Sequence, residues 1–257
     1  MTERFTAQMY IDMVAEQKGV SVKDFGVAPV VVASWSKSTI QAFVTAVDAK
    51  IPKQWIYKDY YPLYTGLVDD VKVSFVNLPV GSAGTVMIME ELVACGARMF
   101  IGRGWAGSLQ SSVPIGSFFI PTSCIREEGT SMHYLSRNVD VRPSPHLLEL
   151  LQRCCKSEGI KVKMGPIWTT DAPYRETMLK IKRYMKKGIV GVDMETSAMY
   201  SLGKARSVEV CNLLIISDEV WGEWQPAFGS EKVKQAEYQA LKVLLRCLGE
   251  FQEEESP

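Results

Sequence analysis

The sequence lacks the features that mark several classes of protein. No apolar run approaches the roughly 20 residues that a membrane-spanning helix needs. The amino-terminal residues, among them Glu3, Arg4 and Asp12, contain no hydrophobic core of a signal peptide. Neither charge is in excess, since 29 basic side chains balance 29 acidic ones. Because nucleic acid or an anionic membrane would require clustered Lys and Arg, we expect neither as a partner and predict a soluble cytoplasmic protein.

Metal-binding and disulfide patterns are also missing. The chain has six cysteines and only two histidines, and no two cysteines have the C-x-x-C spacing. Most of the cysteines lie inside apolar runs, as Cys211 does, so we expect reduced, buried thiols. We expect no metal ion and no organic cofactor. The partner should be a small molecule or another subunit.

Short apolar runs rich in Val, Ile and Phe alternate with longer segments of helical period. This alternation predicts an α/β protein with a mostly parallel or mixed sheet covered on both faces. No linker rich in Pro, Gly or Ser divides the chain, so we predict one domain over residues 1–252 and a disordered acidic tail over 253–257. The predicted strands are 27–33, 71–77, 98–102, 117–121, 160–168 and 208–217, and the predicted helices are 38–47, 85–95, 146–157, 194–205 and 230–251.

One tempting motif does not carry the function that its pattern suggests. Residues 102–107 read Gly-Arg-Gly-Trp-Ala-Gly, which matches the G-x-G-x-x-G fingerprint of dinucleotide-binding proteins. That fingerprint needs a long helix whose first N–H groups hold a pyrophosphate, but Pro114 and Gly116 follow and a strand begins at Ser117. We therefore reject a dinucleotide site and predict a glycine-rich turn at the carboxyl end of a strand.

Three other segments have the composition of loops at strand ends. Residues 80–85 form a small-residue turn before a helix, residues 191–196 place two carboxylates at a helix start, and residues 215–219 end an apolar strand in acids. Each also has a purely structural interpretation. Asp193 is a plausible helix cap, Glu195 is favourable near a helix amino terminus, and Asp218 suits a turn.

Taken together, these segments resemble the nucleoside phosphorylase-I family, which includes purine nucleoside phosphorylases, uridine phosphorylases and methylthioadenosine nucleosidases. The resemblance rests on Val-Asp-Met-Glu-Thr-Ser-Ala-Met-Tyr at 192–200, followed by an apolar strand and Ser217-Asp218. The glycine turns at 81–84 and 104–107 and the stretch 170–174 fall in the family's order. The resemblance implies a three-layer α/β/α sandwich around a mixed, partly barrel-like sheet. It also implies a dimer-based homo-oligomer, possibly a hexamer.

The resemblance assigns roles to particular residues. Glu195 would accept hydrogen bonds from the ribose diol, and Met194 would lie against the sugar. Asp218 would donate a proton to a purine base as its bond to C1′ breaks, for which its carboxyl must first be protonated. The base would lie among Trp105, Ala106, Gly107, Tyr174, Asp193 and Ser217.

The phosphate site departs from the family's pattern. A Gly-Asp-x-x-Arg loop is expected after the first strand, where this chain has Ala-Ser-Trp-Ser-Lys-Ser at 33–38. The family's second arginine falls at Gly102, and a third, near Asp59, is missing. A rebuilt site would use Gly81, Thr85, Lys37 and Arg103.

The resemblance therefore leaves alternatives open. Phosphate is the expected co-substrate, but the missing arginines add weight to a nucleosidase that uses water, or to a nucleoside-binding protein without catalysis. Asp218 favours a purine over uridine, since uridine phosphorylases read uracil with a Gln/Arg pair, for which Arg175 is the only candidate upstream. The prediction is a phosphate-dependent purine nucleoside phosphorylase, with uridine phosphorylase as an alternative.

Overall fold

The computed structural model describes residues 3–254, which form helices around one mixed sheet. The helices are α1 (Ala7–Lys18), α2 (Lys37–Val47), α3 (Ser82–Ala94), α4 (Ser131–Tyr134), α5 (Pro145–Ser157), α6 (Met178–Lys186), α7 (Thr196–Arg206) and α8 (Glu231–Glu254). The strands are β1 (Val30–Ser34), β2 (Leu63–Val68), β3 (Val71–Asn77), β4 (Met99–Ser108), β5 (Phe118–Glu127), β6 (Val162–Thr170), β7 (Gly191–Asp193), β8 (Glu209–Glu219) and β9 (Gln225–Pro226).

The nine strands follow the order β2-β3-β1-β4-β7-β6-β5-β8-β9, and β4 also pairs with β8. This additional pairing closes β4, β7, β6, β5 and β8 into a ring, while β2, β3 and β1 extend from it as an open sheet. Parallel pairs such as β1/β4 and β4/β8 occur beside antiparallel pairs such as β4/β7 and β5/β8. The predicted mixed, partly barrel-like sheet is confirmed.

Helices cover both faces of the open part of the sheet. Ile40 of α2, Leu150 of α5 and Leu244 of α8 pack with Ile101 on one face. Ile11 of α1, Val86 of α3 and Met199 of α7 pack with Phe100 on the other. Because neighbouring strand residues point to opposite faces, each strand feeds two apolar layers. The predicted three-layer α/β/α sandwich is confirmed.

The prediction of a glycine-rich turn at residues 102–107 is wrong. These residues continue β4, which pairs with β8 as far as Ser108. The glycines leave space above the strand, and neighbouring side chains fill that space, as Asn212 does at Gly102. Ser217 and Asp218 likewise lie inside β8, which reaches Glu219.

Three elements outside the predicted set bury few side chains. α1 buries only Ile11 and Ala15, β2 contains an exposed Leu67, and α6 buries only Ile181 and Tyr184. α8 continues to Glu254, and the rest of the predicted tail lies outside the described residues. Between residues 3 and 254, no helix combines the length and apolar character that crossing a membrane requires.

All six cysteines are free thiols. Five are buried and Cys124 is half-buried. This agrees with the expectation of reduced thiols inside the apolar core.

Candidate active site

The short strand β7 and the start of α7 carry two buried carboxylates. Asp193 accepts a hydrogen bond from the Thr196 backbone N–H at 3.0 Å and another from the Thr169 hydroxyl at 2.8 Å. Its side chain therefore caps α7 and ties it to β6, which is the structural role that the sequence left open. Burial raises the pKa of Asp193.

Glu195 joins the starts of two helices. Its Oε1 atom accepts the backbone N–H of Gly81 at 2.6 Å, and the neighbouring Met194 carbonyl accepts the Ser82 hydroxyl at 2.6 Å. Gly81 has φ 97°, a conformation that favours glycine. Burial, and then the charge of Asp193, raises the pKa of Glu195. The carboxyl thus lies at the amino terminus of α3.

Asp218 lies in β8 with only 8% of its surface exposed. Its Oδ1 atom accepts the Ser217 hydroxyl at 2.8 Å, and its Oδ2 atom accepts the Trp224 indole N–H at 2.9 Å. Gly107 is its ladder partner on β4, and a Cβ atom there would lie 3.4 Å from Oδ2. The two hydrogen bonds and the close strand hold the carboxyl in one orientation.

Asp218 lines a cavity of about 600 Å³ whose wall is largely apolar and includes three aromatic rings. Tyr174, Trp224 and Phe228 contribute rings, and Trp105 packs edge-on against Phe228 with ring centroids 6.2 Å apart. This size and lining are typical of small-molecule sites. Of the predicted base-binding residues, Trp105 and Tyr174 are exposed, whereas Ala106 is buried in the core behind them.

Glu176 lines the same cavity, between Tyr174 and α6. Burial, and then the nearby charge of Asp218, raises the pKa of Glu176 to about 7. Two carboxyl groups thus line the cavity, and the pKa of one of them, Glu176, lies near neutral pH. Glu176, Trp224 and Phe228 carry no sequence signal of a site, because each is an isolated residue in a loop without periodicity.

Three of the four residues predicted to bind phosphate, namely Gly81, Thr85 and Lys37, lie at the starts of α3 and α2. The Gly81 N–H already binds Glu195, and Lys37 is exposed at the start of α2. The Thr85 hydroxyl donates to the Pro79 carbonyl at 2.9 Å and accepts the Trp35 indole N–H at 2.8 Å.

Arg103 lies on the opposite face of the sheet from the start of α3. It shares the strand periodicity of Ile101, which packs on the α8 face, and its Nη2 atom lies 3.1 Å from Glu237 Oε1 of α8. This ion pair is the contact that compensates the buried charge of Arg103. Burial lowers the pKa of Arg103.

The position where the family carries its second arginine has no room for a side chain. A Cβ atom at Gly102 would lie 2.2 Å from Asn212 Oδ1 and 3.2 Å from the Met199 methyl group. Asn212 is itself held by a hydrogen bond from its amide to the Thr196 hydroxyl at 2.8 Å. In the described part of the chain, no group of three His, Cys, Asp or Glu side chains is placed to hold a metal ion.

Comparison with known proteins gives a consistent family. Residues 39–252 match the family model described as the phosphorylase superfamily. A guanosine phosphorylase of Halorubrum lacusprofundi is 21% identical over 193 residues, covering 73% of this chain and 80% of that relative. A uridine phosphorylase of Treponema pallidum is 26% identical over 167 residues, covering 61% and 65%. The purine nucleoside phosphorylase of Toxoplasma gondii, solved with immucillin-H, has a TM-score of 0.83 at 21% identity and covers 99% of this chain and 100% of its own.

Proposed function

The chain belongs to the phosphorylase superfamily, and we propose that it cleaves the N-glycosidic bond of a purine nucleoside. Asp218 would protonate the departing base, and Glu195 would hold the ribose diol. The observation that carries this proposal is the buried Asp218 carboxyl, which Ser217 and Trp224 orient at the wall of a cavity that includes three aromatic rings. A positioned acid of this kind supports leaving-group protonation.

The ribose would bind beside the cavity, between Met194 and the start of α3. The carboxylate of Glu195 accepts two hydrogen bonds in the geometry of a cis diol, and Met194 supplies a soft apolar contact. Gly81 holds the carboxyl in place from below at 2.6 Å. This arrangement separates the sugar, at Glu195, from the base, at Asp218.

Two features of the cavity favour a purine. The acid at Asp218 matches a purine ring nitrogen, and Glu176 adds a second carboxyl that can pair with the N–H groups of a 6-oxopurine. The relatives named above include both a guanosine and a uridine phosphorylase, so the experiment below compares purine and pyrimidine nucleosides. The family implies phosphate as the acceptor of the ribosyl group. Water is the second candidate, and it is favoured by the position of Trp35, whose indole N–H donates to Thr85.

The proposal is tested by incubating the protein with inosine, guanosine, adenosine and uridine and measuring release of each base. We expect release of a purine base, and faster release than of uracil. Uracil release alone would replace the purine proposal by a uridine one. Nucleoside binding without release of any base would show a silent binding protein instead. We also propose, from the family resemblance, that the active form is a dimer-based oligomer without an organic cofactor.

A further inference from the structure

We infer that Trp35 excludes phosphate from the acceptor side of the ribose, so that water takes its place and the reaction is hydrolysis. This inference rests on the proposed cleavage of a nucleoside and names its second substrate. It concerns a residue outside the predicted set, which lies in the loop between β1 and α2.

Trp35 is fixed by two independent contacts. Its six-membered ring covers the α-carbon of Gly104, where a Cβ atom would lie 2.6 Å from one ring carbon and 2.8 Å from another. Its indole N–H donates to the Thr85 hydroxyl at 2.8 Å, and Thr85 is fully buried. Only a glycine on β4 allows this approach. The ring is thus seated as firmly as a core side chain.

The ring occupies the space that an acceptor anion would need. Thr85 is in the first turn of α3, next to Gly81, which holds Glu195. Gly104 lies three residues before Gly107 on β4, and Gly107 pairs with Asp218 of β8. C1′ must lie between the sugar at Glu195 and the base at Asp218, so the group that attacks it would come from this side. The indole fills that approach with an apolar surface.

The surroundings also lack the charge that a phosphate dianion requires. Phosphate sites use cationic forks or clustered free N–H groups. Arg103 lies on the other face of the sheet with Glu237, and Asn212 fills the space above Gly102. The Gly81 N–H is bound to the Glu195 carboxyl and is therefore not free to bind an anion. Water is neutral and small, so neither the missing charge nor the ring excludes it.

The hydrolytic step balances without any further reactant. The bond between C1′ and the base nitrogen breaks, and its electron pair leaves with the base, which takes the proton of Asp218. Water forms the new C–O bond at C1′. The proton that the water loses returns through solvent to the carboxylate of Asp218. Nucleoside and water therefore give free base and free ribose.

The test is to identify the sugar product of the wild-type protein by NMR, in phosphate-free buffer and in excess phosphate. We expect free ribose in both buffers and a rate of base release that phosphate does not change. Ribose 1-phosphate as the main product would overturn the inference while supporting the proposed cleavage. Absence of base release in both buffers would instead count against the proposed cleavage.

A measurement of phosphate binding keeps the inference testable even without turnover. We expect wild-type protein and Trp35→Phe, which keeps a ring over Gly104, to show no saturable broadening of the ³¹P signal of inorganic phosphate. Trp35→Arg removes the indole and supplies the cation that the surroundings lack, so it should bind phosphate measurably. Saturable phosphate binding by the wild-type protein, displaced by nucleoside product analogues, would contradict exclusion by Trp35. Equal absence of binding in Trp35→Arg would show that the ring and the missing charge are not what exclude the anion.

Discussion

The Glu195 carboxylate accepts the backbone N–H of Gly81 at 2.6 Å, and this contact joins the first turns of α3 and α7. The two helices come from distant parts of the chain, yet Ser82 and Met194 form a second bond at the same junction. These two bonds hold the Glu195 carboxyl in one orientation. The ribose contact is thus organised before any substrate binds.

Glu195→Gln should weaken nucleoside binding more than it slows the chemical step. An amide has one acceptor oxygen, so its NH₂ group cannot accept a hydroxyl hydrogen of the diol. We expect kcat/KM for the preferred nucleoside to fall about 10- to 100-fold, mainly through KM, as expected for loss of a buried hydrogen-bond acceptor. Steady-state kinetics of base release measures this change.

Glu128→Gln is the matched control. Glu128 is also buried, and its two oxygens accept the Ser197 hydroxyl at 2.7 Å and the Ser131 N–H at 2.9 Å, so neither bond involves Glu195 or Gly81. It should lower the melting temperature without raising KM. A similar rise of KM in both variants would mean that Glu195 acts through the fold and not through the sugar.

Asp218→Asn should nearly abolish purine release, because an amide cannot give up a proton to the leaving base. General acid catalysis contributes about 10²- to 10⁴-fold, so we expect kcat to fall by about that factor. Binding of nucleoside, followed by fluorescence or calorimetry, should persist. Wild-type turnover in this variant would remove Asp218 from the mechanism.

Trp224→Phe tests whether the indole N–H orients that acid. It removes the 2.9 Å bond to Asp218 Oδ2 while keeping an aromatic ring in the cavity. Loss of one such bond predicts a decrease of about 3- to 10-fold in kcat, together with an altered pH profile of kcat. Trp221→Phe removes an equivalent indole bond, 3.0 Å from Glu219, and should leave both unchanged. Equal effects of the two substitutions would point to general loosening of the loop.

Glu176 should make the protein less stable as the pH rises. Its pKa is raised from 4.5 to about 7 in the folded state, so the folded protein holds this proton more tightly than the unfolded chain. The stabilisation is fully present below about pH 4.5 and is lost as the pH rises through about 7. The side chain introduced by Glu176→Gln cannot ionise. The variant should therefore become more stable than the wild-type protein only as the pH rises through that range. Because the side chain is half-buried, we expect about 1–2 kcal/mol at pH 8.

Urea unfolding of both proteins at pH 5 and pH 8 measures this difference. The two unfolding free energies should approach each other at pH 5 and separate at pH 8, with Glu176→Gln the more stable. Lys180→Gln, at an exposed ion pair with Glu127, controls for general charge effects. A constant difference at both pH values would show that Glu176 does not change its protonation on folding.

The sequence predicted the core elements and the family, but not the surroundings of the site. Strong apolar runs such as β8 and the alternation of β3 are local signals, which are sufficient to identify strands. The pairing of β4 with β1, β7 and β8 is a long-range property, and it converted a predicted turn at Gly104 into a strand that receives Trp35. Likewise, strand periodicity assigns Arg103 to the α8 face only if β4 extends past residue 103, which the sequence did not predict.

Arg103→Met should change stability only slightly, because it replaces a buried cation by an apolar side chain of similar length. The guanidinium is 1% exposed and is compensated only by an ion pair with Glu237, whose desolvation cost offsets most of its attraction. We expect the unfolding free energy to change by less than about 1 kcal/mol. Glu237→Gln should cost about 3 kcal/mol, since it leaves a buried positive charge without a counter-ion and weakens the 3.1 Å bond from Trp105.

Arg103→Met also separates a structural cation from a phosphate ligand. Arg103 faces α8, so its loss should leave the sugar product and its response to phosphate as they are in the wild-type protein. Urea unfolding and NMR of the products give both measurements on one preparation. A switch in the sugar product on removing Arg103, with stability preserved, would place the charge of Arg103 in the acceptor site. The side chain would then have to reach across the sheet, through the space that Asn212 fills above Gly102 and Trp35 fills above Gly104.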